Sequence, residues 1–514
     1  MDEKIQGYIK RYNKARTDAL QWQRTLEEAY KYAIPQQLTY HFGAENDGQS
    51  RGYDVYDSTL PDALISFVGK MVGGLTPQGA NWLKLVPGPD VPEEYEEQVA
   101  RSLHDQTESF FKFLNRSNFY SVMPQAYKDW AIGTAAIIIN EVDNDDNPLH
   151  FSCVPMDTIA LEYGPFGTIK TVWRSFENFY LRNIEPQWTG AKLTDMMRRK
   201  LDNDENATIN IIEGTVWDPN TELYSYIVTS EDGHDVFLDA EMLSSPWVVF
   251  RYAMYKAETF GRGVVMDLMP EVKTLNKMRE DLMKQNELSI NPPIMAFGDS
   301  IANLNNIRFE PNSVIPVEAL PNGNPSIQQF VNRSNYQIAQ IEMDQIRQLI
   351  RKMLYAEPLG GIDSPVRTAT EVTYRMREIA ERIGPAVGLF QFEFGGPFVE
   401  RVLHILMKRG LISPIIIDNK LVSIKYESPL ATSQGLADAA ALEGYHAQLV
   451  QMVGPEAAIM AYKVDKLPMW LAEKYGVDPN LINSEIEIAQ MAQSAAAPQI
   501  NPGALPTQQI AAMG

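Results

Sequence analysis

The chain has 514 residues, 45% hydrophobic and 22% charged, and 66 acidic against 45 basic side chains give a net charge of −21. That length exceeds what one hydrophobic core can organise and predicts roughly three domains, while the acidic balance opposes a tight grip on DNA phosphates or anionic membrane headgroups. It leaves room for DNA passing nearby, because a tube through which DNA slides should not hold it tightly.

The N-terminal "MDEKIQGYIKRYNKARTDAL" has neither an apolar core nor a cleavage site, so no signal peptide is expected. Over residues 4–33, Ile5, Tyr8, Tyr12, Ala15, Ala19, Trp22, Leu26 and Tyr30 recur at helical spacing, and Pro35 ends the pattern. A second helix, "LPDALISFVGKMVGGL", closes on "TPQGANWLKL", where Pro77 and Gly79 mark a turn into a short strand. Its apolar part contains Lys70 and three glycines and is too short to span a bilayer, so an intracellular soluble protein is expected. Residues 96–131 read as helix. From "TAAIIINEVD" to about 253 the β-branched and aromatic runs predict a mostly β region, interrupted by a helix at 190–201. The one cysteine, Cys153 in "HFSCVPMDTIAL", excludes an intrachain disulfide and reads as a small buried hydrophobe.

From Gly263 the character changes. "VVMDLMPEVKTLNKMREDLMKQNELSI" is helical to about Leu288, a Pro/Asn/Gly-punctuated module with short strands follows, and "NYQIAQIEMDQIRQLIRKMLY" is helical again. Next comes the loop "EPLGGIDSPVR" and a long helix, whose start at Thr368 is marked by the capping-box spacing of Thr368 and Glu371. This helix is expected to bend at Gly384-Pro385 and again at Gly395-Gly396-Pro397 and to end at Gly410. Strand-like "LVSIKYESPLA", helices over about 433–491 and an Ala/Gln/Pro-rich tail complete the chain.

No enzyme is legible. There is no Walker A sequence, and "FGRGVV" lacks the third glycine of a phosphate loop. No G-x-S-x-G elbow is present, and the six histidines form no metal-ligand spacing. No cofactor is expected. "DNDENATINIIE" places Asp202, Asp204, Asn206, Thr208, Asn210 and Glu213 at EF-hand positions, but Ala207 replaces the turn glycine and strand-like sequence follows, so a polar loop between helix and strand is the preferred reading.

On the helix after Gly263, Leu268, Val272, Leu275 and Leu282 form one stripe, and Lys273, Lys277, Glu280, Lys284 and Glu287 form another on nearly the opposite side. The charged stripe fits either a solvated face with ion pairs or the wall of an aqueous channel. On the later helix Ile338, Ile341, Ile346, Leu349 and Met353 are expected to form the apolar side. Along the helix from Thr368, Val372, Met376, Ile379 and Ile383 make an apolar stripe among interleaved charges, which reads as a beam rather than a nucleic-acid reader.

Several stretches, in order, carry a resemblance: "LISFVGKMVGGLTPQGANWLKL", "AYKDWAIGTAAIIIN", "CVPMDTIALEYGPFGTIKTVWR", "VVFRYAMYKAETFGRGVVMDLMPEVKTLNKM", "RTATEVTYRMREIAERIGPAVGLFQFEFGGPFVERVL" and "WLAEKYGVDPNLINSEIEIAQMAQ". Along nearly its whole length the chain resembles the portal proteins, or head-to-tail connectors, of short-tailed phages. The resemblance implies a multi-domain α+β subunit of a ring, normally of twelve copies, at one capsid vertex. It implies a wing at 1–262, stem helices at 263–291 and 333–356, and a clip at 292–332. It further implies a channel loop at 357–367, a long kinked helix and return strand at 368–430, a crown at 431–491 and a flexible tail at 492–514.

Implied partners are double-stranded DNA in the channel, the terminase large subunit, a tail adaptor, and scaffolding and major capsid proteins, with no membrane. Assembly is expected in the host cytoplasm and the final place is the head–tail junction of the virion. The resemblance also directs attention to Gly360, Gly361, Ile362, Asp363, Ser364, Val366 and Arg367 as the loop that meets the duplex, and to Lys273, Lys277, Glu280, Lys284 and Glu287 as channel-lining stem residues. An ordinary surface connection remains the alternative for the loop. A different virion or scaffold-associated protein remains the alternative for the chain.

Overall fold

The computed structural model describes most of residues 3–357 and 382–454. Outside the description lie 38–51, 299–313, 319–326, 330–335, 358–381, 414–421, isolated positions, and all but three residues from 455 onward. The chain divides into two compact units, one of Met1–Thr368 with Glu381–Tyr426, the other of Ala369–Ala380 with Glu427–Gly514. In the second unit the described element is a helix, Pro429–Val453. The chain is a mixed α+β protein, and among the described residues no helix is long and apolar enough to cross a membrane.

Helix α1 (Glu3–Ala33) buries Ile5, Tyr12, Ala15, Ala19, Leu26, Ala29, Tyr30 and Ala33, the face expected from its spacing, and ends just before Pro35. Its first half covers a five-stranded antiparallel sheet of β4 (Ile159–Tyr163), β5 (Ile169–Tyr180), β6 (Thr208–Asp218), β7 (Leu223–Ser230) and β8 (Val236–Met242). Tyr12 meets Trp173 edge-on there, with centroids 6.0 Å apart. A second cluster, including Trp188, Met197, Ile211, Tyr226 and Phe237, forms around Leu181 and Ile184 of the segment joining β5 to β6.

Helix α2 (Thr59–Leu75) leads to β1 (Leu83–Pro87), which pairs with β13 (Val422–Tyr426). The predicted helix at 96–131 is two helices, α3 (Glu93–Arg116) and α4 (Phe119–Ile132). The break falls at Ser117-Asn118, where the Ser117 hydroxyl accepts from Phe119 N–H and the Asn118 amide bonds both polar groups of the Phe151 backbone. Such short polar side chains compete with the helical ladder. Strand β2 (Thr134–Glu141) lies between β3 (Leu149–Cys153) and β9 (Trp247–Arg251) and buries six consecutive residues, which explains its unbroken apolar run. Between β5 and β6 lie a short α5 (Ile184–Gln187) and α6 (Asp195–Asn203). The expected helix at 190–201 begins at Asp195, because Thr194 caps it by accepting from Met197 N–H.

Two long helices follow, α7 (Val264–Ile290) and α8 (Tyr336–Met353), packed together, and the segment between them contributes β10 (Ile294–Gly298), β11 (Val314–Glu318) and β12 (Ile327–Gln329) in one small sheet. A helix is then described from 382 to 390, and the turn before Gly384-Pro385, where the first bend was expected, lies largely outside the described residues. The second expected bend is a π turn, Gln391–Gly395, leading into α9 (Gly396–Lys408). Pro397 has no N–H to give the preceding turn, and the widened turn absorbs the defect. Tyr426 of β13 donates its hydroxyl to Gln391 O at 2.9 Å, beside a Gly395 whose added Cβ would lie 1.1 Å from that hydroxyl oxygen. Phe390, Phe394 and Phe398 stack in succession at 4.6 and 4.8 Å and pack against Trp82, Phe119 and Phe250.

Candidate functional site

The α7 helix is set by backbone contact. Gly263 N–H donates to Ile132 O at 2.9 Å, Gly261 N–H to Thr134 Oγ1 at 2.8 Å, and Tyr252 N–H to Gly133 O at 2.9 Å. Added Cβ atoms on Gly133, Gly261 and Gly263 would lie 2.2, 2.6 and 2.2 Å from opposing carbonyl oxygens. The glycines of "FGRG" therefore let two backbones cross, and the weak likeness to a phosphate loop has this structural explanation.

Beyond the crossing, α7 buries Leu268, Val272, Leu275 and Leu282, as its periodicity predicts. The opposite side carries the anticipated charges, most of them paired within the helix. Lys277 reaches Glu280 at 3.0 Å and Asp281 at 3.1 Å, and Lys284 also bonds Glu280. The bond to Glu280, with that to Asp281, pushes the Lys277 ammonium up, and Lys284 with Lys277 holds the Glu280 carboxyl down. Lys273 is engaged differently, with Glu28 of α1 at 2.7 Å, and Glu287 is exposed. All five side chains are on the helix, but only Lys273 ties it to another element by a described ion pair.

Helix α8 corrects the sequence reading. Met343, Ile350 and Leu354 are buried, whereas Ile338, Ile341, Leu349 and Met353 of the expected apolar side are exposed. The buried set lies about 120° around the helix from the exposed one. Two apolar stripes share these residues, and packing on α2 and α7, with Arg347 bound to Asp57, selects between them.

That contact belongs to a strap the sequence did not reveal. Asn276, buried in the apolar stripe of α7, accepts from Tyr56 N–H at 2.6 Å and donates to Asp54 O at 3.0 Å. Arg347 grips Asp57 Oδ2 at 2.7 and 3.1 Å, and Lys31 of α1 pairs with Asp54. Burial opposes ionisation of Asp57, but hydrogen bonds from Thr59 and Arg347 outweigh it and hold the carboxyl below its ordinary range. Residues 54–57 thus join α1, α7 and α8. Asn276→Leu should destabilise the fold by about 1–3 kcal/mol, since it strands a backbone donor and acceptor; urea denaturation measures the loss.

The EF-hand-like stretch is not a cation loop. Thr208 to Glu213 belong to β6, and an extended strand spreads such positions over about 16 Å, too far to surround one ion. Their side chains also diverge: Asp204 accepts from Asn206 N–H, Asn210 donates to Glu231, and Glu213 is buried against Tyr226 and Trp188. Among the described residues no group of three or more His, Cys, Asp or Glu could hold a metal.

The loop residues Gly360, Gly361, Ile362, Asp363, Ser364, Val366 and Arg367 lie outside the described residues, as do Thr368 and Glu371.

The profile described as "Bacteriophage head to tail connecting protein" matches residues 6–482. The chain belongs to this family. A relative described as "Probable portal protein", from Bordetella phage BPP-1, is 21% identical over 505 residues, covering 92% of this chain and 88% of that protein. The resemblance to portal proteins and head-to-tail connectors is therefore borne out. As a family member this connector takes its place in the virion where head meets tail, and its paired long helices, α7 and α8, fall well inside the matched span.

Proposed function

We propose that this connector is a portal subunit, forming a ring of about twelve copies at one capsid vertex, a copy number taken from the family resemblance. Double-stranded DNA enters and leaves through the ring, which docks the terminase large subunit, a tail adaptor, and scaffolding and capsid proteins. In this reading residues 1–262 are the wing, α7 and α8 the stem, 292–332 the clip, and 431–491 the crown, with assembly in the host cytoplasm. The loop at 357–367 is its contact with DNA. The protein turns over no nucleotide and works as a conduit. The family match over residues 6–482 carries the reading. The acidic balance supports it, because a negative wall centres a sliding duplex while scattered lysines temper the repulsion.

Negative-stain microscopy of the purified protein tests the ring: closed rings with a central hole are expected, and monomers at every salt concentration would overturn it. ATP hydrolysis by the purified chain would remove the conduit-only reading.

The lysines give a finer test. Lys277 and Lys284 bond carboxylates of their own exposed helix face, so Lys277→Ala/Lys284→Ala should leave the thermal midpoint and ring formation unchanged while altering DNA packaging or retention. Failure to assemble would place these lysines between subunits, and normal packaging would remove them from the channel.

A further inference from the structure

Asp129 on α4 is 1% exposed, and its carboxyl stands where three segments meet. Tyr30 of α1 donates its hydroxyl to Oδ1 at 2.9 Å, and Cys153 of β3 turns its thiol to Oδ2 at 3.4 Å. Gln37, beyond the end of α1, adds a side-chain hydrogen bond and is itself held by Gln125 of α4 at 2.8 Å. Among the described residues the titratable and charged groups acting on the carboxyl are Tyr30, Cys153 and, from its own helix, Lys128, with Gln37 a neutral donor. α2, α3, α7 and β2 also pack on α4, and none of their described ionisable groups is among the principal ones acting on Asp129.

We propose that Asp129 is a proton-operated latch: protonated, it secures the end of α1 to α4 and β3, and ionised, it loosens that junction. No cation forms an ion pair with the carboxylate among the described contacts, so its negative charge must be carried in an apolar setting by a hydroxyl, a weak thiol donor and an amide. Burial pushes the carboxyl up to about 7, against the opposing pull of Tyr30, Cys153, Lys128 and Gln37. Burial, and after it the same negative charge, push the Cys153 thiol up, so the thiol remains a donor.

The sign follows. An opened junction exposes Asp129, which ionises near 3.8, whereas the closed junction keeps its proton to about 7. Between these values each pH unit favours opening tenfold, and above about 7 no further change arises. The effect can travel beyond α1, because Lys31 and Glu28, near Tyr30, reach Asp54 of the strap and Lys273 of α7.

Hydrogen exchange on the full chain tests the latch, with amide rates corrected for their intrinsic pH dependence. Protection at Tyr30–Ile34 should fall by about 50-fold between pH 5 and pH 7 and level off above. Asp129→Asn should make it independent of pH. Tyr30→Phe removes a donor to the ionised carboxyl, so its levelling-off point should move to higher pH. A pH dependence shared by wild type and Asp129→Asn would overturn the latch. If that variant does not fold, an unmoved levelling-off point in Tyr30→Phe would do so.

Discussion

Gly263→Ala should destabilise the first unit by about 3 kcal/mol, the upper end of what overpacking costs. The new Cβ would lie 2.2 Å from Ala131 O, 2.5 Å from Ile132 C and 2.6 Å from Ile132 O. These are backbone atoms at the end of α4, which cannot rotate away as a side-chain tip can, so α7 must shift from its hydrogen bond to Ile132 O. Gly388→Ala provides the contrast: it lies exposed in the helix at 382–390 with nothing within 4 Å of an added Cβ. There the same methyl should stabilise by about 0.5–1 kcal/mol, through lost backbone freedom in the unfolded chain. Chemical denaturation of both variants reads the difference, and equal effects would refute the crossing as the cause.

Glu393→Gln should cost about 3–5 kcal/mol, because it leaves the Arg251 guanidinium buried without its counter-charge. Arg251 is 1% exposed; its Nε donates to Glu393 Oε1 at 3.0 Å, its backbone N–H to Oε2 at 2.8 Å, and its Nη2 to Gly167 O at 2.7 Å. One arginine thereby fixes the π turn to β9 and to the hairpin before β5. Replacing both partners, as in Arg251→Met/Glu393→Leu, should recover much of the loss, since no unpaired charge remains. A double-mutant cycle by urea denaturation measures the coupling; additive single effects would show that the pair does not act as a unit.

The elements were largely legible. The α1 stripe, the buried side of α7, the mostly β region and the short strands between the two long helices follow from periods of 3.6 and 2, which are properties of the local backbone. Even the misplaced boundaries have local causes, the Thr194 cap and the Ser117-Asn118 bonds. The connector family was legible too, because its signal is an order of stretches along the chain. The candidate site was less so. The charged stripe of α7 was anticipated, with ion pairs along it as one of two readings, but the attachment of Lys273 to Glu28 was not.

By itself, then, the sequence determined which segments are helix or strand, the solvent side of α7, and the family, for local geometry and linear order are written in it. Tertiary structure decided which of two apolar stripes on α8 is buried, why "FGRG" carries glycines, and that Glu213 belongs to a sheet core rather than a cation loop. It also joined Asp57 to Arg347 across 290 positions and Arg251 to Glu393 across 142. Burial and charge pairing depend on what arrives from elsewhere in the chain, and no periodicity within a helix or strand specifies its distant neighbour.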